Sequence, residues 1–311
     1  MKRTVVLLIT TILMNIGINK TYAAEFRKVD FEAQNLEAIL EVFNDRIDYG
    51  NIGIIDSYYD LLSTYIKIVE TEVGKIRGKS NRDKLNETYV RPAKIARERV
   101  IYEVSQYRLL KNIGLQVIDG NSDISSDLNK LTRLKKRAVA IKEAGNYEDV
   151  PSYIDSSLEM IENSLRTNKF VKIEEGNTFK INDFEYDVFL MTNIERLIIG
   201  KDNPLILNFK LSSVAREKAN DMGLNNYFSH QSPTYGSPFE MMNQYGISYQ
   251  GAAENIAAGY QSPEAVVSGW MNSPGHRMNI LGLHKEIGIG FATAEKAKYS
   301  TYWTQMFILD I

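Results

Sequence analysis

Between residues 25 and 170 the apolar positions recur at helical spacing. Phe31, Leu36, Ile39, Leu40, Phe43 and Ile47 form one stripe; Tyr58, Leu62, Tyr65, Ile66, Val69, Val73 and Ile76 form a second. Pro92 opens a further segment carrying Ile95, Ile101, Val104 and Leu110. Ser125 or Ser126 is placed to cap a helix bearing Leu128, Leu131, Leu134, Ala138 and Ile141, which Gly145 can end. Pro151 suits the first turn of a last helix with Ile154, Leu158, Ile161 and Leu165. Amphipathic helices joined by short loops imply antiparallel neighbours, so this part reads as an all-α helical bundle.

The pattern changes near residue 180, beyond which lie five of the seven prolines and eleven of the twenty glycines. Residues 184–199 and 212–225 keep helical spacing, and Ser262-Pro263-Glu264 supplies an N-cap with proline at the first helical position. Ile287–Phe291 and Tyr302–Ile308 read as strands separated by a polar stretch. Helices first and strands last, without strand–helix alternation, predict an α+β class rather than a doubly wound sheet. The expected organisation is therefore a helical domain over 25–170, a linker over 171–183 containing Gly176, and a mixed domain over 184–311.

Residues 1–24 fall outside that scheme. Met1-Lys2-Arg3 is basic, Thr4–Ile18 is apolar but short for a membrane span, and Ala23 and Ala24 are small residues at a cleavage point. This reads as a secretory signal peptide, which predicts a secreted or cell-envelope protein with no integral span after cleavage. The formal charge of −2 becomes about −5 when Lys2, Arg3 and Lys20 leave with that segment, so the basic footprint of a nucleic-acid-binding protein is missing. There is no cysteine, which removes any disulfide framework, any lipid anchor on a cysteine and any thiol nucleophile.

The chemistry concentrates near the C-terminus. All three histidines (His230, His276, His284) and both tryptophans (Trp270, Trp303) lie in the last 82 residues. Neutral imidazole is a common metal ligand, and it titrates near neutral pH. Glu254 sits among Gly251, Ala252, Ala253 and Ile256, where an unpaired carboxylate would be costly. An imidazole partner would remove that cost, either as a working pair or as a brace for the wall of a cleft. His276, in Pro274-Gly275-His276-Arg277, likewise suits either a cleft position or a loop brace. Asn255 reads as a loop organiser and His284 as a surface residue. No His-Glu-x-x-His run and no Gly-x-Ser-x-Gly elbow is present.

An ordered series of motifs adds a resemblance. It runs Ala219-Asn220-Asp221-Met222, Phe228-Ser229-His230, Ser237-Pro238-Phe239, Ala253-Glu254-Asn255-Ile256 and Ser262-Pro263-Glu264-Ala265. Gly269-Trp270-Met271-Asn272-Ser273-Pro274-Gly275-His276-Arg277, Glu286–Gly290 and Tyr302-Trp303-Thr304-Gln305 complete it. Residues 184–311 resemble the CAP domain (cysteine-rich secretory protein, antigen 5, pathogenesis-related 1), in its cysteine-free bacterial secreted branch. The resemblance implies a three-layer α-β-α sandwich with a central cleft lined, in many eukaryotic members, by two histidines and two glutamates. His230 matches the first histidine and Glu254 the first glutamate, while Ser273 and Tyr302 stand where the second glutamate and second histidine usually lie. His276 belongs to the Ser-Pro-Gly-His-Arg signature of the bacterial branch.

Two functional expectations follow. In one, the cleft around His230, Glu254 and His276 binds an extracellular or cell-envelope ligand, with the helical domain as a docking module. In the other, the same three residues serve a hydrolase by acid–base chemistry or with Zn²⁺ held by His230 and His276.

Overall fold

The computed structural model describes residues 20–309 apart from 122, 146 and 202. Most of the expected signal peptide, residues 1–19, lies outside the described residues. The described residues divide into two compact units, one drawn from 20–50, 54–109 and 125–152, the other from 51–53, 110–124 and 153–309.

The first unit is helical, built from α1 (Lys20–Tyr49), α2 (Ile52–Gly74), α3 (Lys79–Leu85), the leading part of α4 (Arg91–Ile118) and α5 (Ser125–Gly145). The expected stripes form its core: Leu36, Phe43, Ile47, Leu62, Ile66 and Val69 are all buried. Pro92 does not open a helix after a loop as expected. A π-helical turn, Asn86–Val90, joins α3 directly to α4. Pro92 has no N–H to return to the carbonyl four residues back, and its ring crowds that carbonyl, so the preceding turn widens. Among the described residues no helix is long and apolar enough to cross a membrane.

The second unit is a mixed sheet between helices. Its further elements are α6 (Ser152–Thr167), β1 (Val171–Lys172), α7 (Asp183–Ile198), β2 (Ile206–Asn208), α8 (Phe209–Leu224) and α9 (Pro238–Gln244), then β3 (Gly251–Ala258), α10 (Pro263–Met271), α11 (Pro274–Ile280), β4 (Glu286–Thr293) and β5 (Thr301–Leu309). Strand order is β1-β2-β4-β5-β3, parallel from β1 to β4 and antiparallel from β4 to β3. Alternation sends Met306 and Ile308 to the face that meets Leu211, Val214 and Ala215 of α8. The odd-numbered residues of β5 face α7: Phe184 stacks on Trp303 at 5.9 Å, and Gln305 donates to Thr192 Oγ1 at 2.9 Å. With α10 packed beside α7, this is the expected α-β-α sandwich.

Two features tie α8 to the sheet. Gly288 and Gly290 of β4 let it approach closely, since a Cβ at Gly290 would lie 2.2 Å from the backbone carbon of Ala215. Asn208 caps its start, accepting from the Leu211 N–H at 2.9 Å.

The second unit reaches further back along the chain than the pattern predicts. The stretch expected as a linker carries β1, whose Val171 pairs with Leu207, so it lies inside this unit rather than between the two. Gly114, near the end of α4, leaves room for the buried Tyr186 of α7, whose hydroxyl would lie 1.9 Å from a Cβ at that position.

Candidate functional site

Three segments of the second unit meet at an open cleft of about 760 Å³. The loop after α8 brings His230, β3 brings Glu254 and α11 brings His276; all three side chains line the cleft although 24 and 22 positions separate them in sequence.

The loop is set by local chemistry. Asn226 takes the left-handed conformation, φ 50°, which turns the chain back so that the Tyr227 N–H reaches the carbonyl of Met222 at 3.0 Å. Ser232 and Gly236 then bridge each other, and Ser237 starts α9 in a reciprocal capping box with Glu240. His230 lies between these two anchors.

His230 Nδ1 is 2.7 Å from Glu254 Oε1. The Glu254 side chain is 1% exposed and the His230 ring 56%, so the carboxylate lies beneath the cleft and the imidazole in it. A carboxylate oxygen accepts, so this contact assigns the hydrogen to Nδ1 and leaves Nε2 for the cleft. Glu254 Oε2 is buried with no hydrogen bond from another described residue. Asn279 of α11 braces the strand, donating to the Glu254 carbonyl at 3.1 Å and to Asn255 Oδ1 at 2.9 Å. His276 is half-buried; burial first, and the neighbouring His230 second, hold its pKa below the usual histidine value. Ser229 Oγ accepts from the Gln231 N–H at 3.1 Å within its own loop.

Behind the loop lies a buried network that sequence reasoning missed. Lys218 of α8 is fully buried, and its ammonium donates to the carbonyls of Ser229 (2.9 Å) and His230 (3.0 Å) and to Tyr227 Oη (3.1 Å). Tyr227 donates in turn to Asp221, which also accepts from Ser232 Oγ (2.6 Å), Thr234 Oγ1 (2.7 Å) and Asn225 Nδ2 (2.7 Å). Burial works to raise the Asp221 pKa, but these four donors outweigh it and hold the carboxyl low. Burial lowers the Lys218 pKa, opposed by the charges of Glu254 and Asp221. The signal available in sequence was the i, i+3 pair Lys218 and Asp221, which share one face of a helix just ahead of His230.

Other expectations differ in detail. Asn255 is a strand residue, not a loop residue, although it does bond backbone: its Nδ2 donates to the His276 carbonyl and to Gln305 Oε1, both at 3.1 Å. His284 is half-buried against Phe307, ring centroids 5.4 Å apart. Trp270, Trp303 and Tyr302 are core residues.

Zinc needs three or four convergent donors. Among the described residues no group of three or more His, Asp or Glu is arranged to hold a metal ion. Ser273 stands at the N-cap of α11, and Tyr302 is fully buried in the cluster under α8, so neither position adds a carboxylate or imidazole to His230 and His276. The donor set does not fit the ion.

With this geometry in place, comparison with known proteins is informative. Residues 201–307 match the cysteine-rich secretory protein (CAP) family. These residues form a CAP-family segment. The chain is 49% identical over 129 residues to the uncharacterized protein YkwD of Bacillus subtilis (strain 168), a match covering 41% of this chain and 48% of that protein. It is 39% identical over 125 residues to the uncharacterized membrane protein YlbC of the same organism, covering 40% of this chain and 34% of YlbC. The chain thus spans half or less of the length of the curated relatives it matches. A crystal structure of an extracellular protein containing an SCP domain from Bacillus anthracis str. Ames is 36% identical, covers 40% of this chain and 39% of that one, and superposes with a TM-score of 0.35.

Proposed function

We propose that this is a secreted or cell-envelope CAP protein whose cleft binds a ligand, with the helical unit as the module that docks it to a partner. The observation that carries the reading is the His230–Glu254 pair at 2.7 Å, with a buried carboxylate orienting an exposed imidazole in an open cleft that His276 also lines. A cleft of about 760 Å³ is within the usual range for small-molecule sites, roughly 300–1,000 Å³. The basic start and apolar run of residues 1–18 support export.

The test follows the ring resonances of His230 and His276 by NMR while saccharides, fatty acids and peptides are added to the purified protein. At least one class should shift both rings, and His230→Ala should weaken that binding. If no class moves either ring, the ligand-binding reading fails. Export is checked separately: the protein recovered from the envelope or medium should begin at Ala24 or Glu25, and a cytoplasmic protein retaining Met1 would contradict it.

One observation favours hydrolysis as the second reading. Glu254 on Nδ1 is the arrangement that holds an imidazole as a general base, with Nε2 free to activate water. Turnover of a cleft ligand, abolished in His230→Ala and reduced in Glu254→Gln, would favour it.

A further inference from the structure

We infer that the ligand of this cleft is a neutral saccharide, an inference that rests on the ligand-binding reading above. Among the described residues, the ionisable side chains lining the cleft are His230, Glu254 and His276, with no lysine or arginine. Lys218 lies behind the His230 loop with its ammonium committed to three acceptors. A phosphate or carboxylate would therefore leave water without a guanidinium or ammonium to meet it, which is costly. A cationic ligand would meet one carboxylate, already paired with His230 and 1% exposed.

The cleft also mixes polar groups with aromatic faces. Ser229, Gln231, Ser237 and Asn279 line the cleft with the two histidines, and each retains hydrogen-bonding capacity. The Ser229 hydroxyl accepts from a backbone N–H and still has a hydrogen to donate, and Asn279 uses its Nδ2 but not its Oδ1. Beside them, Phe228 and Phe239 remain 47% and 46% exposed. The Phe228 ring is braced by Tyr299, ring centroids 6.0 Å apart at 66°. Half-exposed phenyl rings beside hydroxyl and amide groups suit a ligand with C–H-rich faces and an equatorial rim of hydroxyls, which describes a pyranose.

Rival ligand classes meet obstacles in the strand edge and in the lining. A peptide bound along β3 would need the free edge of that strand, because β3 ends the sheet. Gly259, in register beyond β3, donates to the Thr301 carbonyl at 2.9 Å, so the odd-numbered residues of β3 bond to β5 and the even-numbered ones face the open edge. On that edge the carbonyls of Glu254 and Ile256 are taken by Asn279 (3.1 Å) and by the Trp270 indole N–H (3.3 Å). A main-chain ladder therefore cannot propagate there. An acyl chain would cover the polar groups of Ser229, Gln231, Asn279 and the two histidines that line the same cleft without offering them a hydrogen-bond partner, which is costly.

The experiment titrates the mature protein with neutral trisaccharides (chitotriose, cellotriose, maltotriose and mannotriose), reading heat by calorimetry and the His230 and His276 rings by NMR. A sialylated trisaccharide, palmitate and an extended decapeptide serve as comparators. At least one neutral trisaccharide should bind and move both rings, and Phe228→Ala and Phe239→Ala should each weaken it about tenfold while thermal unfolding stays close to wild type. No response to any neutral trisaccharide overturns the inference, as does binding confined to the sialylated sugar or unaffected by both phenylalanine variants. If palmitate or the peptide moves the rings where no sugar does, the saccharide inference fails and the ligand-binding reading stands. If nothing moves them, both fail.

Discussion

His230 has two ring nitrogens with different surroundings, and that asymmetry is testable. With Nδ1 on the Glu254 carboxylate, neutral His230 should carry its hydrogen on Nδ1, visible in the nitrogen shifts of the ring. Glu254→Ala should move the ring toward the Nε2–H tautomer; a wild-type ring already in that form would contradict the geometry. Lys218→Met should cost about 1–3 kcal/mol in chemical denaturation, because two carbonyls and a phenol are left buried without their donor. The pH dependence also belongs to this scale. Burial holds His276 and His284 below the ordinary value of 6.5, so across that window the unfolded chain binds more protons than the folded one. Stability should be full above pH 6.5 and fall as pH drops through the lowered folded pKa values. Asp221, also held low, adds stability that is present above its ordinary value of 3.8 and lost as pH falls through its folded pKa. Unfolding free energy measured from pH 8 to pH 4 should therefore decline, with a shallower slope in His276→Asn. A slope unchanged by that substitution would remove His276 from the account.

Among the elements, α8 links sheet and site: one side packs on β4, and its last turns carry Lys218 and Asp221 under the His230 loop. Its seat depends on two hydrogen atoms in place of side chains. Gly290→Ala puts a methyl group 2.2 Å from backbone atoms of Ala215, which a rigid helix cannot avoid without lifting off the sheet. The expected loss is about 1–3 kcal/mol or more, together with shifted His230 resonances. Gly275→Ala is the control: a Cβ there meets nothing within 4 Å, so its effect should stay within about 0.5 kcal/mol. Both helices flanking the sheet were legible in advance from their spacing, and so were β4 and β5 from their runs of apolar residues. β3 was not. Its sequence, Gly-Ala-Ala-Glu-Asn-Ile-Ala-Ala, has neither alternation nor a β-branched majority, and it is a strand because β5 pairs with it along its whole length.

For the whole molecule, the division into units changes what proteolysis should reveal. Residues 173–180 are almost all exposed and contain Gly176 at φ 75°, so a protease should nick there first. The nick should not release a free C-terminal fragment, because Val171 pairs with Leu207, and Lys111 bonds to Asp187 at 2.6 Å, within the same compact unit. The pieces should co-elute on a sizing column in native buffer and separate only in denaturant; separation in native buffer would show that the expected boundary near 180 is the working one.

The sequence by itself determined where helices form in both parts, which stripes they bury, and that the imidazoles gather in one Gly- and Pro-rich region. Each of these is a local property: a stripe at 3.6-residue spacing, a cap, or a loop of small residues carries its own signal. Only the tertiary structure decided that α6 and the end of α4 join the second unit, that an alanine-rich segment becomes the edge strand bearing Glu254, and that Lys218 lies beneath His230. A buried lysine reads in sequence like any solvated lysine. What distinguishes it is the set of carbonyls that the fold brings to its ammonium, and those come from a loop whose path depends on packing elsewhere in the sandwich.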